Sequence, residues 1–236
     1  MSAAIASFHL VRERRWRGPL ALARLALDRP ALHRVPGLRF FRLLGTGRGT
    51  TTSVSVDPRR TALFAVWDDE TALDAFLACA AIARRWRSAE EVYSVRLRAL
   101  RGHGTWRGVA VLDGLEAGRA DGPVAVLTRA DVRLRRWLPF LGAGPAVSDA
   151  VQRAPGLLAV VGVGEAPLGR QATFSLWSSA AHVDAFAIGH PAHRRVVERT
   201  RAERWYGEEL FARFEPSGSE GTWDGRDPLA GFRPSG

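Results

Sequence analysis

Lysine is absent from this chain, cysteine occurs once, and no stretch of 18 consecutive apolar residues is present. The single cysteine, Cys79, excludes an internal disulfide and a cluster of thiolate metal ligands. Without a long apolar run, no membrane-spanning helix is predicted. Because residues 1–8 carry no basic leader before an apolar stretch, we expect a cytoplasmic protein.

Sequence motifs for phosphate binding and hydrolysis are also missing. No P-loop, no Gly-x-Ser-x-Gly nucleophile elbow and no His-Glu-x-x-His zinc motif occurs. The glycine clusters at 45–47 and 162–164 lack the third glycine of a dinucleotide-binding fingerprint, since Thr50 and Pro167 stand in its place. Each cluster joins two predicted strands, which favours hairpin turns over a nucleotide site.

The basic charge of the chain comes entirely from arginine. All 34 basic residues are arginines, and the net charge is +10. Such a surface favours anionic partners through long-range attraction that salt screens. The arginines are spread over both halves without a recognition motif, so no nucleic-acid partner is expected. We expect instead peripheral contact with an anionic membrane, at its inner face.

The tryptophans indicate an internal repeat. All eight form couples in matching local sequence, separated by 110 to 121 positions: Trp16 with Trp137, Trp67 with Trp177, Trp86 with Trp205, and Trp106 with Trp223. We interpret the chain as two copies of a unit of about 110 to 120 residues, a length typical of a domain rather than of a solenoid repeat. The predicted division is a first unit at 1–106, a linker at 107–122, a second unit at 123–223 and a flexible tail at 224–236.

The pattern of apolar residues and turn signals predicts strand, helix, strand, strand, helix, strand in each half. This βαββαβ order is that of a ferredoxin-like unit. We therefore predict an α+β fold in which the sheets of two tandem ferredoxin-like units form one intramolecular barrel. Ligands would then find room inside the barrel or between a sheet and its covering helices. The alternative is two separate sheets packed on helices, without a shared cavity.

Carboxylates and histidines are the two kinds of residue that could carry chemistry in this chain. The carboxylate pairs Glu90-Glu91 and Glu208-Glu209 recur at equivalent strand entries, which favours a structural or capping role over catalysis. The histidines differ between the halves, because His182, His190 and His193 align with alanines of the first half. Half-specific residues are the better candidates for function.

His193 is the strongest of these candidates for a ligand or acid–base role. His190 and His193 lie on the helical face of Phe186, and Pro191 is expected to begin a new helix after a break near Gly189. His193 would then lie in a first helical turn, and His190 would lie at the helix boundary.

Several segments carry a resemblance to a known family: 36–47, 65–70, 161–165, 174–177 and 208–223. Together they resemble the spheroidene monooxygenases of bacterial carotenoid synthesis, over nearly the whole chain. That family is similar to the antibiotic-biosynthesis-monooxygenase group of dimeric α+β barrels. The resemblance implies oxygen-dependent introduction of a hydroxyl or keto group into an acyclic carotenoid. It also implies haem and an electron donor such as reduced ferredoxin.

This resemblance adds roles for several residues. Haem-binding relatives of the fold place a proximal histidine on the corresponding second helix, so His193 is predicted to bind the iron, with His190 as the reserve. Arg194 and Arg195 would pair with the haem propionates. No catalytic residue is assigned. The residues expected to line the pocket of the apolar substrate are Trp67, Trp177 and Phe186.

Two other functions remain open on the sequence. A cofactor-free monooxygenase of the same fold would act on an aromatic polyketide that itself activates oxygen, with Trp67 and Trp177 shaping the pocket. A non-enzymatic protein would keep the barrel for binding haem or another ligand.

Overall fold

The computed structural model describes residues 3–47, 56–165, 170–189, 198–200 and 202–232. The elements of the first half are β1 (Ile5–Arg12), α1 (Gly18–Leu27), α2 (Arg29–Leu32), β2 (Leu38–Gly47), β3 (Val56–Trp67), α3 (Glu70–Cys79), α4 (Ala81–Trp86) and β4 (Glu91–Gly104). Those of the second half are β5 (Val124–Val132), α5 (Trp137–Gln152), β6 (Leu157–Gly164), β7 (Arg170–Trp177), α6 (Ala180–Gly189) and β8 (Tyr206–Gly221). One turn of 3₁₀-helix precedes α1 and another precedes α5.

The eight strands form one closed barrel in the order β1-β3-β2-β6-β7-β5-β8-β4, and all neighbouring strands are antiparallel. Read from the β4–β8 contact, each half places its strands in the same order: fourth, first, third, second. This is the sheet of a ferredoxin-like unit. The predicted fold class is confirmed, and the alternative of two separate sheets is wrong. Duplication of one ancestral unit stays an interpretation of the repeated sequence.

The barrel interior is filled by side chains from both halves. Phe8 stacks on Phe174 with ring centroids 3.9 Å apart, so the two halves meet at the centre of one hydrophobic core. Trp106 and Trp223 are buried in the same core. Of the two locations predicted for a ligand, the barrel interior is therefore occupied by packing. The outer faces of the sheets, beneath the helices, are the other location.

The repeated Gly-Thr-Trp-x-Gly segments form equivalent turns after β4 and β8. Gly104 and Gly221 begin these turns with φ of 88° and 84°. A Cβ atom at either position would lie 2.0 Å from a carbonyl oxygen, of Glu209 and Val92 respectively. Only glycine fits there, because of both the backbone conformation and the close approach of the neighbouring strand.

The linker and the described part of the tail pack against the barrel. In the linker, Ala117 pairs with Ala99 of β4, and Val111 is buried in the core. In the tail, Leu229 is buried in that core as well. Residues of the linker and of the tail thus contribute to the core, and the division into two units, linker and flexible tail stays a prediction.

Candidate functional site

Trp67 and Trp177, predicted to line the substrate pocket, occupy equivalent positions at the ends of β3 and β7. The indole N–H of Trp67 donates to Ser7 Oγ at 2.8 Å, and that of Trp177 donates to Ser175 Oγ at 2.9 Å. Both indoles are buried on the outer face of their own sheet, in separate hydrophobic clusters. The structure therefore does not bring the two tryptophans together.

Phe186, the third residue of the predicted pocket, lies beside one of the two. Its ring centroid in α6 is 5.6 Å from that of Trp177. Trp67 instead packs on Phe76 of α3, at 5.0 Å. Trp177 and Phe186 thus form one aromatic corner between the second sheet and α6. The part of all three residues in substrate binding stays a prediction.

The outer faces of the two sheets differ in the size of their side chains. The strand register aligns one row of residues across the outer face of each sheet. The residue of this row in β3 lies four positions before Trp67, and the residue in β7 lies four positions before Trp177. In the first half this row is Leu43, Leu63 and His9; in the second half it is Gly162, Thr173 and Thr128. Two leucines and a histidine in the first sheet therefore correspond to a glycine and two threonines in the second.

This difference in size changes the accessibility of the two faces. Leu63 and His9 are each 1% exposed beneath the helices of the first half. Thr173 is half-buried and Thr128 is exposed, although Thr128 lies in β5, an inner strand between β7 and β8. We call Gly162, Thr173 and Thr128 the open face. It is the candidate ligand site, because its side chains are smaller than those of the same row in the first half. Thr128 and Thr173 are also more exposed than their counterparts His9 and Leu63, whereas Gly162 is buried.

An aromatic side chain and an ion pair border the open face on β8. Phe211 is the register partner of Thr128, and His103 of β4 stacks on it at 5.8 Å. Two residues further along β8, Arg213 donates to Asp184 of α6 at 2.6 Å. This hydrogen bond from Arg213 is the main reason that the pKa of Asp184 is lowered.

The Arg213–Asp184 pair has a counterpart in the first half, where Arg96 donates to Asp74 of α3 at 2.7 Å. Both pairs connect the fourth strand of a half to its second main helix. Because the two halves share the interaction, we assign it to the scaffold. Its effect on the site is to hold α6 at a fixed distance from the edge of the open face.

His9 occupies in the first half the position that Thr128 occupies in the second. Its two ring nitrogens lie 2.9 Å from Ser94 Oγ and 2.9 Å from Ser7 Oγ. Burial, followed by the charge of Arg96, lowers the pKa of His9 to about 3. The imidazole is therefore neutral at physiological pH and belongs to a buried hydrogen-bond network.

The residues predicted to bind haem, His190, His193, Arg194 and Arg195, lie outside the described residues. α6 is described as far as Gly189, and the predicted break near this residue and the helix beginning at Pro191 stay predictions. Within the described parts of the chain, no group of three or more histidine, cysteine or carboxylate side chains could hold a metal ion. A haem iron needs a single protein ligand, so its assignment stays with His193 as a prediction.

His182, the remaining histidine of the second-half cluster, is held at the beginning of α6. Its Nδ1 atom lies 2.9 Å from the hydroxyls of both Ser178 and Ser179. The ring also packs over Gly156, where a Cβ atom would lie 2.3 Å from it. These contacts give His182 a structural place at the helix start.

Comparison with known proteins gives the family. No family model matches the chain. The spheroidene monooxygenase of Rhodobacter capsulatus is 34% identical over 90% of this chain and 89% of its own length. That of Rubrivivax gelatinosus is 40% identical over 81% of this chain and 73% of its own. The chain belongs to the spheroidene monooxygenase family. A third member, from Cereibacter sphaeroides, is 31% identical over 96% of this chain and 69% of its own.

Solved structures support the fold of this family member. An aldoxime dehydratase has a TM-score of 0.58 at 13% identity, covering 91% of this chain and 81% of that protein. A second, solved in complex with butyraldoxime, has a TM-score of 0.59 at 14% identity, covering 91% of this chain and 79% of that protein. At this level of identity the similarity concerns the fold alone.

Proposed function

We propose that this protein is a monooxygenase that introduces a hydroxyl or keto group into an acyclic carotenoid or a similar apolar polyene. Molecular oxygen is the co-substrate, and an external donor such as reduced ferredoxin supplies electrons. The observation that carries the proposal is the similarity to relatives named spheroidene monooxygenase, over most of both chains. The open face supports it, because its side chains are smaller than those of the same row in the first half.

The residues of the open face fit a haem. Haem is broad and flat, and the second sheet lacks the three large side chains that fill the same row of the first sheet. His193 would hold the iron, with His190 as the reserve, and Arg194 or Arg195 would pair with the propionates. Such a cofactor supplies the oxygen activation that amino-acid side chains do not provide.

The chain itself would bind and orient the polyene. Phe186, which packs on the buried Trp177, gives apolar surface at one end of the open face, and Phe211 does so beside Thr128. Apolar walls hold an unfunctionalised hydrocarbon and keep water from the reacting carbon. The hydroxyls of Thr128 and Thr173 are the polar groups of the row, available to hydrogen-bond an oxygen atom at this surface.

The test of the cofactor assignment is the absorption spectrum of protein purified with haem available. We expect a Soret band in the wild-type protein and its loss, or a strong weakening, in His193→Ala. The fold should survive, since Ala83 stands at the matching place in the first half. His190→Ala should affect the band less. Unchanged haem binding in the double variant would contradict the assignment.

The same preparations separate the proposed reaction from its rivals. Protein with haem, oxygen and reduced ferredoxin should convert an acyclic carotenoid to its hydroxylated or keto product, as measured by mass spectrometry. Turnover without any Soret band would instead support a cofactor-free monooxygenase. Haem binding without turnover of any polyene would support a ligand-binding protein.

A further inference from the structure

The solvent-facing side of α1 is apolar, and this surface continues into the 3₁₀ turn before it, where Trp16 lies. Trp16, Leu20, Ala23 and Leu27 follow a spacing of four, three and four residues, which places them on one side of a helix. Trp16 is 72% exposed, Leu20 45% and Leu27 67%. We call these four residues the α1 ridge. The exposed Pro19 and Ala26 flank the ridge with more apolar surface.

This arrangement is the reverse of a normal surface helix. A helix on a soluble core buries its apolar stripe and turns polar residues to water. α1 buries Gly18 and Ala21 against the sheet, and its arginine, Arg24, lines a cavity beneath the helix rather than covering its outer side. Single exposed leucines are common on proteins, but a continuous ridge with a tryptophan marks an interaction surface.

Arginines surround the ridge at both ends. Arg14 and Arg15 are exposed before it, and neither forms an ion pair within the described part of the chain. Arg17 lies over the ring of Trp16, with its guanidinium carbon 4.5 Å from the ring centroid. Arg29 is exposed beyond the other end of the ridge. No acidic residue occurs between positions 14 and 27. Of the two acidic residues that adjoin this stretch, Glu13 is buried and Asp28 is paired with Arg85.

We propose that the α1 ridge docks this protein on an anionic bilayer. Tryptophan favours the membrane–water interface, leucine side chains enter the acyl boundary, and arginines pair with lipid phosphates beside them. The positive ends of the ridge match anionic head groups and repel a second copy of the same surface. The docking is monotopic, and within the described residues no helix has the length and apolar character needed to cross a bilayer. The inference does not depend on the proposed reaction.

The ridge changes the expected response of binding to salt. Attraction through arginines alone is screened and disappears as the ionic strength rises. Burial of Trp16, Leu20 and Leu27 in the interface is not screened, so part of the binding should persist in high salt. The sequence predicts only the electrostatic part of the membrane binding. The apolar part is recognised from the exposed fractions of Trp16, Leu20 and Leu27 in the structure.

Vesicle sedimentation with the full-length protein tests the proposal. The vesicles are phosphatidylcholine with phosphatidylglycerol, and phosphatidylcholine alone, each at low and high salt. The wild-type protein should bind the mixed vesicles, with a fraction retained at high salt. Leu20→Asp/Leu27→Asp should lower the partition coefficient by about tenfold or more, because two charges enter the ridge. Thermal unfolding checks that the variant is folded.

The matched control is Leu134→Asp/Leu138→Asp in the second half. These leucines are 82% and 78% exposed, and the variant makes the same change in net charge. Binding within about twofold of wild type is expected here, as the proposal assigns the interfacial burial to α1 alone. An equal loss in both variants would overturn the proposal, as would no wild-type binding to either vesicle. Sedimentation velocity gives a further refutation: a dimer abolished by the ridge variant, without vesicle binding, would make the ridge a self-association surface.

Discussion

Two glutamates hold equivalent turns at opposite ends of the β4–β8 pair. Glu208 accepts a hydrogen bond from the backbone N–H of Gly108 at 2.7 Å, and Glu91 accepts one from Gly225 at 2.7 Å. Each also accepts from a threonine hydroxyl of the same turn. Burial alone would raise the pKa of Glu208, but these bonds, together with Arg107 N–H and Arg129, lower it to about 2. A carboxylate so firmly ionised holds a turn and carries no proton at neutral pH, in agreement with the capping role predicted for the repeated pairs.

His9 shows how one position of the repeat can serve two purposes. In the first half it completes a buried network with Ser7 and Ser94. In the second half the corresponding Thr128 is exposed on the open face. The sequence gives no sign of this network. Ser7 lies two residues before His9 on the same strand, and Ser94 is brought next to His9 only by the pairing of β1 with β4.

The lowered pKa of His9 predicts that acid destabilises the protein. The folded state keeps the ring neutral down to a pKa of about 3, whereas the unfolded chain takes up a proton near the ordinary histidine pKa of 6.5. Below pH 6.5 the unfolded state therefore binds more protons, and the free energy of unfolding falls by up to about 1.4 kcal/mol per pH unit from this group. His9→Gln should show a shallower fall between pH 6.5 and 4 in chemical denaturation.

The control for this prediction is His33→Gln, since the side chain of His33 is exposed. It should keep the wild-type slope. Carboxylates titrate in all three proteins, so the difference in slope isolates His9. Identical slopes in the wild-type protein and His9→Gln would contradict the assignment of a neutral, buried imidazole.

At the scale of elements, the alternation of apolar residues predicted the order of strands and helices in both halves. Breaks within elements were harder to predict. The helix predicted from Pro19 to Leu32 is divided at Asp28, since Pro30 lacks an N–H and its ring would clash with the preceding turn. The turn predicted from Gly45 is instead the end of β2, which continues to Gly47 as it pairs with β3.

The open face was missed for a different reason. Comparison of the two halves in sequence identifies the half-specific histidines His182, His190 and His193, of which His182 lies in α6. The offset of 110, continued back through β3, places Thr173 opposite Leu63. The equivalence of Thr128 and His9, which are 119 positions apart, follows from the strand register. What the sequence comparison could not supply is that these positions are neighbours on one outer face, since that depends on the pairing of β5 with β7.

Filling the open face tests its role. Thr128→His/Thr173→Leu gives the second sheet the side chains that the first sheet carries in this row. Because these side chains fit beneath the helices of the first half, the barrel should remain folded. We expect haem binding to weaken by at least about tenfold, as a flat ligand loses its place against the sheet. A spectrophotometric haem titration measures the change.

Thr71→Leu is the matched control, because it makes a similar change at an exposed position of α3. It should bind haem as the wild-type protein does. If the filled variant keeps both the Soret band and the wild-type affinity, the ligand lies elsewhere, and the contrast between the two sheets concerns packing alone.

At the scale of the whole molecule, two seams join the halves of the barrel, and their described parts differ in length. β4 and β8 pair along nearly their whole length, from Tyr93 to Gly104 of β4. β2 and β6 pair only at Gly45 and Thr46 within the described residues. The strands predicted from the sequence were too short to reveal this inequality, because the polar ends of β4 and β8 do not alternate clearly. Within the described residues, the halves are thus joined by a longer ladder at the β4–β8 seam than at the β2–β6 seam.

This inequality predicts where the barrel opens first. A short ladder has few hydrogen bonds to break, so local opening of the β2–β6 seam should need less free energy than opening of the β4–β8 seam. In hydrogen exchange corrected for intrinsic rates, Gly45, Thr46 and Val163 should exchange faster than Val95 and Ala99 by more than about tenfold, or roughly 1.4 kcal/mol in opening free energy. Equal protection along both seams would mean that the barrel opens only as a unit, with its two halves held equally on both sides.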